Sequence, residues 1–158
     1  MSKNFASIRL SRELTKLQSE SDKLDGIHIE IPKDLMIWNA TINGPPNTPF
    51  EKGIFNIMLK FDTDYPVKPP SVKFITPMYH PNIYRDGKIC VDILQSSEWT
   101  PAQNVRTILV SIMSLLMDPN PSSPANREAA ELYKSDIIEY GNKVRNFIED
   151  NKNKYTNI

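Results

Sequence analysis

The spacing of hydrophobic residues changes twice along the chain, and each change marks a different class of secondary structure. In the first part, apolar residues recur at intervals that a helix gathers on one side, with charged residues between them. We therefore predict an amphipathic first helix whose apolar side carries Phe5, Ile8, Leu14, Leu17 and Leu24. Its solvent-facing residues are predicted to be Arg9, Arg12, Glu13 and Lys16.

From Ile27 onward the sequence predicts extended structure. Short runs rich in β-branched and aromatic residues follow one another, namely IHIEIP, LMIWNATI, IFNIMLKFD and VKFIT. Turn-forming segments such as NGPPNTP and DYPVKPP separate them. Phe55, Ile57 and Leu59 alternate with more polar residues, which is the period of a sheet with one packed face. We predict four consecutive strands that form an antiparallel meander.

Helical spacing returns after Leu94. Residues 100–103, TPAQ, have the composition of a helix start, with a hydroxyl at the N-cap and proline at the first helical position. The following NVRTILVSIMSLLM is apolar on nearly every side, which predicts a central helix, and the proline-rich DPNPSSP ends it. Two further helices are predicted near residues 126–133 and 135–151. Helix, strands and helices in this order predict an α+β domain.

Length, charge and cysteine content restrict the class of protein. The 158 residues, 39% hydrophobic, suit one domain over residues 1–158 with no substantial extension at either end. Lysine plus arginine equals aspartate plus glutamate, at 19 each, so the net charge gives no reason to expect direct nucleic-acid binding. No apolar stretch is long enough to predict a membrane span. A single cysteine cannot form an intramolecular disulfide, which favours a cytoplasmic or nuclear location.

The segment between the strands and the central helix, about residues 75–100, fits neither regular class. Irregular segments of such length in compact domains are usually functional or disordered. This one contains many apolar residues, which favours order, and it holds the chain's only cysteine, Cys90, together with His80. We predict that it is an active-site segment.

Cys90 has two readings on its chemistry alone. A buried, inert thiol is the commoner case, because free cysteine is among the most buried residue types. A papain-like protease needs a histidine downstream of its cysteine, and both histidines here precede it. One cysteine and two histidines also lack zinc-ligand spacing, so no metal site is expected. The second reading is an acyl carrier, since a thiol exchanges with an activated thioester without a strong base.

Several motifs together resemble the ubiquitin-conjugating enzyme family. HPN at residues 80–82 precedes Cys90, which lies eight positions after Asn82 in GKICVDIL, and Trp99 is followed by TPA. GPPNTPFEKGIF, DYPVKPP and DPNPSSPAN occur in the family's order, so the resemblance covers nearly the whole chain and implies the ubiquitin-conjugating fold. IWNA and SPANREAAELY most resemble the branch linked to post-replication repair and histone ubiquitylation.

The resemblance implies a mechanism. Cys90 would accept the C-terminal glycine of ubiquitin as a thioester from an activating enzyme and pass it to a lysine of a protein substrate. ATP is used upstream by the activating enzyme, so this chain is expected to need no cofactor. The Asn82 amide would stabilise the oxyanion of the attack, or alternatively hold the loop in place. His80 would hold the turn by backbone hydrogen bonds and transfer no proton.

Three more positions match the surroundings of the incoming lysine. Tyr84 and Asp92 agree with the family, but a serine, Ser123, stands in the proline-rich loop where relatives often have an acidic residue. This departure weakens the expectation of strong intrinsic reactivity toward lysine. The alternative for Ser123 is that it caps the helix that follows Pro124.

The resemblance also implies which residues bind partner proteins, because their positions match those of the family's partner-binding surface. The surface that binds the activating enzyme and ligases would comprise Arg9, Arg12, Val67, Thr100, Pro101 and Ala102. Charges on a first helix are otherwise usually a solvated face. Many relatives that serve ligases with a catalytic cysteine have phenylalanine where Val67 stands, so a RING-type ligase is expected, and the protein is expected to be a monomer.

Two other functions compete with this one. A catalytically inactive scaffold is a relative that lacks the cysteine, and Cys90 is present. A carrier for another ubiquitin-like modifier is the main alternative, because ILQSSEWTP has one extra residue where the SUMO branch has two. The sequence favours ubiquitin.

Overall fold

The computed structural model describes residues 4–19 and 24–152. One helix, α1 (Phe5–Gln18), precedes all the strands. The strands are β1 (Ile27–Ile29), β2 (Ile37–Asn43), β3 (Ile54–Lys60) and β4 (Ser71–Phe74). Three helices follow them: α2 (Val105–Met117), α3 (Arg127–Ser135) and α4 (Ile137–Asp150). The predicted α+β order is confirmed.

The four strands form one sheet in the order β1-β2-β3-β4, with every neighbouring pair antiparallel. This confirms the predicted meander. Phe55, Ile57 and Leu59 of β3 are fully buried, as their alternation predicts. They belong to the same hydrophobic cluster as Ile108 and Ile112 of α2, so the central helix packs in the core, as predicted.

Helix α1 buries only part of the predicted face. Its fully buried residues are Ala6 and Leu10, whereas Phe5 is 78% exposed and Ile8 36% exposed. Leu14, Leu17 and Leu24 pack partly against the core, as predicted. A face that contains residues 6, 10 and 17 also contains residue 13, because their spacings of four, three and four follow the helical period. Phe5 and Ile8 lie outside this face of the helix.

The predicted start of the central helix is wrong. Helix α2 begins at Val105, and its N-cap is Asn104 rather than Thr100. The Asn104 side chain accepts a hydrogen bond from the Thr107 N–H, and the Thr107 hydroxyl oxygen accepts one from the Asn104 N–H, each at 2.9 Å. This reciprocal cap stabilises the later start. Residues 100–103 form a turn instead, in which the Gln103 N–H donates to Thr100 O at 3.0 Å.

Helices α3 and α4 lie within two residues of their predicted bounds. The alternative that Ser123 caps α3 is wrong. Asn126 is the N-cap, and its side chain accepts a hydrogen bond from the Ala129 N–H at 3.1 Å. Within residues 4–19 and 24–152, no helix has the length and apolar character needed to cross a membrane.

Candidate active site

A tight hairpin between β4 and α2 explains the spacing of Asn82 and Cys90. Ile83 and Ile89 face each other as an antiparallel bridge, and the chain reverses between them. The Cys90 N–H then donates to Asn82 O at 2.8 Å. The eight positions from Asn82 to Cys90 therefore correspond to a hairpin: the chain leaves the HPN turn, reverses direction and brings Cys90 back beside Asn82. The Cys90 residue is half-buried.

Gly87 fixes this hairpin against the edge of the sheet. Its φ is +94°, a conformation that side chains with a Cβ rarely adopt. A Cβ at this position would lie 2.0 Å from Phe74 O, and the Phe74 N–H donates to Gly87 O at 2.8 Å. Lys73 of β4 also pairs with Lys88. The cysteine is thus carried by a backbone that the sheet supports.

His80 is a buried structural residue of the HPN turn. Its Nδ1 accepts a hydrogen bond from the Asn82 N–H at 2.9 Å, and its Nε2 lies 2.8 Å from the carbonyl oxygen of Leu115 in α2. Because a carbonyl only accepts, Nε2 carries the proton and the ring is neutral. Burial lowers the pKa of His80 from 6.5 to about 4. Its geometry is that of the turn-holding role expected from the sequence.

The buried His80 predicts a loss of stability in acid. Between pH 6.5 and about pH 4 the unfolded chain binds a proton that the folded chain excludes, so the free energy of unfolding should fall as the pH falls. The loss attributable to this residue should reach about 3 kcal/mol near pH 4. Urea unfolding at a series of pH values measures it.

The variant for this test is His80→Gln, which keeps a polar side chain and removes the titrating ring. Its unfolding free energy should depend less on pH over this window than that of the wild type. His28→Gln changes the other histidine, at an exposed position on β1, and is the matched control. An equal pH slope in the wild type and His80→Gln would contradict the role given to His80.

The Asn82 side chain is fully buried and binds only the loop that follows α2. Its Nδ2 donates to Asn120 O at 2.7 Å and to Ser123 O at 2.9 Å, while its Oδ1 accepts from the Asn120 N–H at 2.8 Å. Both amide N–H groups therefore already have acceptors. This arrangement supports the loop-holding role, since an oxyanion could be bound only after one N–H leaves its carbonyl.

A second set of backbone bonds joins the HPN turn to the start of α3. The carbonyl of Pro81 accepts hydrogen bonds from the N–H groups of Ala125 and Asn126, at 2.7 Å and 3.0 Å. The loop is thus fixed to the turn at both ends of residues 120–126.

The remaining predicted active-site residues surround this core on exposed positions. Tyr84 lies on the hairpin and is 46% exposed. Asp92 begins a short 3₁₀ helix, Asp92–Leu94, two residues after Cys90, and its side chain is exposed. Ser123 is exposed, and its backbone carbonyl is one of the acceptors of Asn82. The structure therefore joins Ser123 to Asn82, and Asn82 to Cys90, through hydrogen bonds.

The predicted partner surface lies on α1 and two loops, which hydrogen bonds connect. The Arg9 Nη2 donates to Pro101 O at 3.1 Å and to Gln103 O at 3.0 Å. The Trp99 indole N–H donates to Pro66 O at 2.8 Å, beside Val67, which is 73% exposed. The side chains left on the outside of this surface are Arg12, Val67, Thr100, Pro101 and Ala102. Arg9 is therefore a structural link as well as a surface charge.

Sequence reasoning missed Glu13, which was predicted to face solvent. Its side chain is only 10% exposed and accepts hydrogen bonds from Arg9, Tyr65 and the N–H of Val105. The signal that could have found it is its position three residues after Leu10 and seven after Ala6, which are one and two turns of the helix. Among the described residues, no three His, Cys, Asp or Glu side chains are grouped so that they could hold a metal ion.

Comparison with known proteins identifies relatives over almost all of this architecture. Residues 9–148 match the family model described as ubiquitin-conjugating enzyme. The ubiquitin-conjugating enzyme E2 2 of Debaryomyces hansenii is 49% identical over 92% of this chain and 85% of its own length. The proteins of the same name from Saccharomyces cerevisiae and Neurospora crassa are 46% and 48% identical over 89% of this chain, and over 81% and 92% of their own lengths.

These matches confirm the predicted family and support the predicted branch. They favour ubiquitin over another modifier, because the relatives carry the name of ubiquitin-conjugating enzymes. Such enzymes are thioester-forming transferases, and here the half-buried Cys90 is the one thiol on which a thioester could form. By motif, fold and similarity, the chain belongs to the ubiquitin-conjugating enzyme family.

Proposed function

We propose that Cys90 is the residue that accepts ubiquitin, and that the chain then delivers it to lysines of protein substrates together with a RING-type ligase. The observation that carries the proposal is the hairpin that holds this partly accessible thiol beside Asn82. The thiolate of Cys90 attacks the thioester carbonyl on the activating enzyme, and that enzyme's cysteine leaves as a thiolate. ATP is consumed upstream, and this chain supplies only protein groups.

Discharge to lysine is an aminolysis. The lysine nitrogen attacks the thioester carbonyl, the Cys90 sulfur leaves and the amine loses a proton. We infer that Asn82 supports this step chiefly by fixing the loop with Ser123 next to the thiol, because its amide is bonded to that loop. Tyr84 and Asp92 lie on exposed positions from which they can contact an incoming lysine.

The partners proposed for the surface on α1 and the two loops are the activating enzyme and a ligase. Val67, rather than an aromatic residue, supports a ligase of the scaffolding RING type. The relatives support a role in the post-replication-repair and histone-ubiquitylating branch. We further propose that the chain acts as a monomer in the cytoplasm or nucleus.

Charging with a panel of modifiers tests this function. The protein is incubated with purified ubiquitin-activating enzyme and ATP, and in parallel with the activating enzymes of other ubiquitin-like modifiers. Ubiquitin should give an adduct that a reducing agent removes. Preferential charging with another modifier would overturn the proposal in favour of the alternative carrier.

Ser123→Asp should speed discharge of ubiquitin to free lysine, by a few-fold, without altering charging. A carboxylate on this exposed position can attract the lysine and accept its hydrogen bond. It also raises the ammonium pKa, which opposes proton loss, and we expect orientation to outweigh this effect. Single-turnover release to lysine over a pH series measures the balance.

Ser123→Ala is the matched control for this prediction, and it should discharge at the wild-type rate. Both variants keep the backbone carbonyl that accepts from Asn82, so the loop should stay in place. If Ser123→Asp discharges more slowly than Ser123→Ala across the pH series, a carboxylate at this position does not help to receive the lysine, and the prediction is wrong.

A further inference from the structure

The carboxylate of Glu13 joins three separate elements beneath the surface on α1 and the two loops. Its Oε1 accepts from the N–H of Val105, the first residue of α2, at 2.7 Å. Its Oε2 accepts from the Tyr65 hydroxyl and from the Arg9 Nε, the latter at 3.0 Å. With a side chain only 10% exposed, Glu13 is a largely enclosed carboxylate that accepts hydrogen bonds from the start of a helix, a loop and a guanidinium.

Arg9 extends this network to the loop before α2. While its Nε binds Glu13, its Nη2 donates to the carbonyls of Pro101 and Gln103, and its guanidinium carbon lies 5.9 Å from the centre of the Tyr65 ring. The Glu13 carboxylate thus orients the arginine that holds residues 101–103. Charge-assisted hydrogen bonds of this kind are about twice as strong as neutral ones.

Tyr65 extends the network to the loop that carries Val67. It is buried, and burial together with the hydrogen bond to Glu13 raises the pKa of its hydroxyl, which therefore stays protonated and donates. Its ring packs 6.1 Å from that of Trp99, whose indole N–H binds Pro66 O. Tyr65 lies two residues before Val67, and Trp99 lies immediately before Thr100.

We propose that Glu13 is a positioning residue for recognition by the activating enzyme. It fixes two loops relative to α1, namely the loop of residues 61–70, which carries Val67, and the loop of residues 100–103. This inference rests on the proposed function, since it concerns the same partner surface. Neither loop has regular secondary structure, so the buried carboxylate substitutes for a ladder of backbone bonds. Binding to such a preformed surface costs less conformational entropy, because the two loops are already ordered before the partner arrives.

The expected effect can be bounded by the population of the docking-competent arrangement. If loss of the carboxylate reduces that population to about a tenth, the apparent affinity of the partner falls about tenfold. Chemistry at Cys90 should be unaffected, because the hairpin and the HPN turn are held by other bonds, to β4, Leu115 and the loop after α2.

The test uses Glu13→Gln in steady-state charging by the ubiquitin-activating enzyme. The amide can still accept from Val105, but its NH₂ group cannot accept from Tyr65 or Arg9. The KM for this protein as the substrate of charging should rise about five- to tenfold, with kcat within about twofold of the wild type. Release of preformed thioester to hydroxylamine, without ligase, should keep the wild-type rate.

Two further variants make the test specific. Tyr65→Phe removes one donor to Glu13 and should raise KM by a smaller factor, and the double variant should raise it by less than the product of the two single effects. Glu149→Gln removes an exposed carboxylate on α4, and it should charge as the wild type does. Circular dichroism and the fraction of molecules that can be charged establish that each variant is folded.

An unchanged KM in folded Glu13→Gln, or additive effects in the double variant, would overturn the inference. A parallel fall in kcat and in hydroxylamine release would overturn it too, because Glu13 would then act on the whole fold. If Glu13→Gln does not fold, Tyr65→Phe decides alone: a KM like that of Glu149→Gln refutes the inference. Failure of the proposed function is distinct, since the wild type itself would then form no thioester.

Discussion

Cys90→Ala should abolish formation of the ubiquitin adduct, because it removes the only thiol of the chain. In the charging reaction the wild type should give one adduct that disappears under reducing conditions, and the alanine variant should give none. The expected loss is complete within the sensitivity of the gel. Among the residues that the structure describes, Cys90 contributes to the hairpin only the bond from its backbone N–H to Asn82 O, which alanine keeps, so the variant should fold normally.

Cys90→Ser is the matched control for the nature of the bond. A serine oxygen would form an oxyester, which resists the reducing agent, or would form no adduct because a hydroxyl is a weaker nucleophile than a thiol. A reducible adduct that persists in Cys90→Ala would place the thioester elsewhere and refute the assignment of Cys90.

Asn82→Ala should slow discharge of ubiquitin to lysine on the order of a hundredfold, while charging changes only a few-fold. The reason is the position of its hydrogen bonds, all three of which go to backbone atoms of Asn120 and Ser123. Without them the loop proposed to meet the lysine is misplaced, and misplacement by about 1 Å can cost a hundredfold in rate. Single-turnover charging and discharge measure the two steps separately.

The same substitution should lower stability by about 2–4 kcal/mol, because it removes the partners of an N–H and two carbonyls. For a chain of this size the melting temperature should fall by about 5–15 °C. Asn39→Ala, at an exposed position on β2, is the control.

A small nucleophile separates the two roles considered for Asn82. Hydroxylamine needs no positioned loop, so its reaction with the thioester should be nearly normal in Asn82→Ala. If hydroxylamine and lysine discharge slow by the same factor, the amide acts on the oxyanion itself, because that charge develops with either nucleophile. If Asn82→Ala slows charging and discharge by the same factor, the expectation that Asn82 acts mainly on discharge is wrong.

The sheet could be predicted from the sequence because its signal is local. In β3 the alternation of Phe55, Ile57 and Leu59 with polar residues depends on the pleat alone, and all three are buried. The buried face of α1 could not be predicted in the same way. The position of Glu13 on that face satisfies the helical period, but its charge argued for solvent until a distant hydroxyl and a helix N-terminus were known to face it.

The candidate site, too, could be predicted from the sequence only where its contacts are local. The proximity of Cys90 to Asn82 follows from a short hairpin, and the family motif identified both residues. The bonds from Asn82 to Asn120 and Ser123 span 38 and 41 residues, and no local spacing encodes them. The helix start was misjudged for another reason: residues 100–103 and Asn104 both have capping chemistry, and only the reciprocal bond between Asn104 and Thr107 distinguishes them.

The anchor between Asn82 and the loop after α2 uses only main-chain atoms on the loop's side. Side chains at positions such as Ser122 and Ser123 can therefore be exchanged during evolution while the loop keeps its place beside the thiol. The backbone of the loop is therefore fixed, while its outward-facing side chains can vary. On the proposed function, divergence between members of the family would alter which lysines are preferred without any change to the HPN turn.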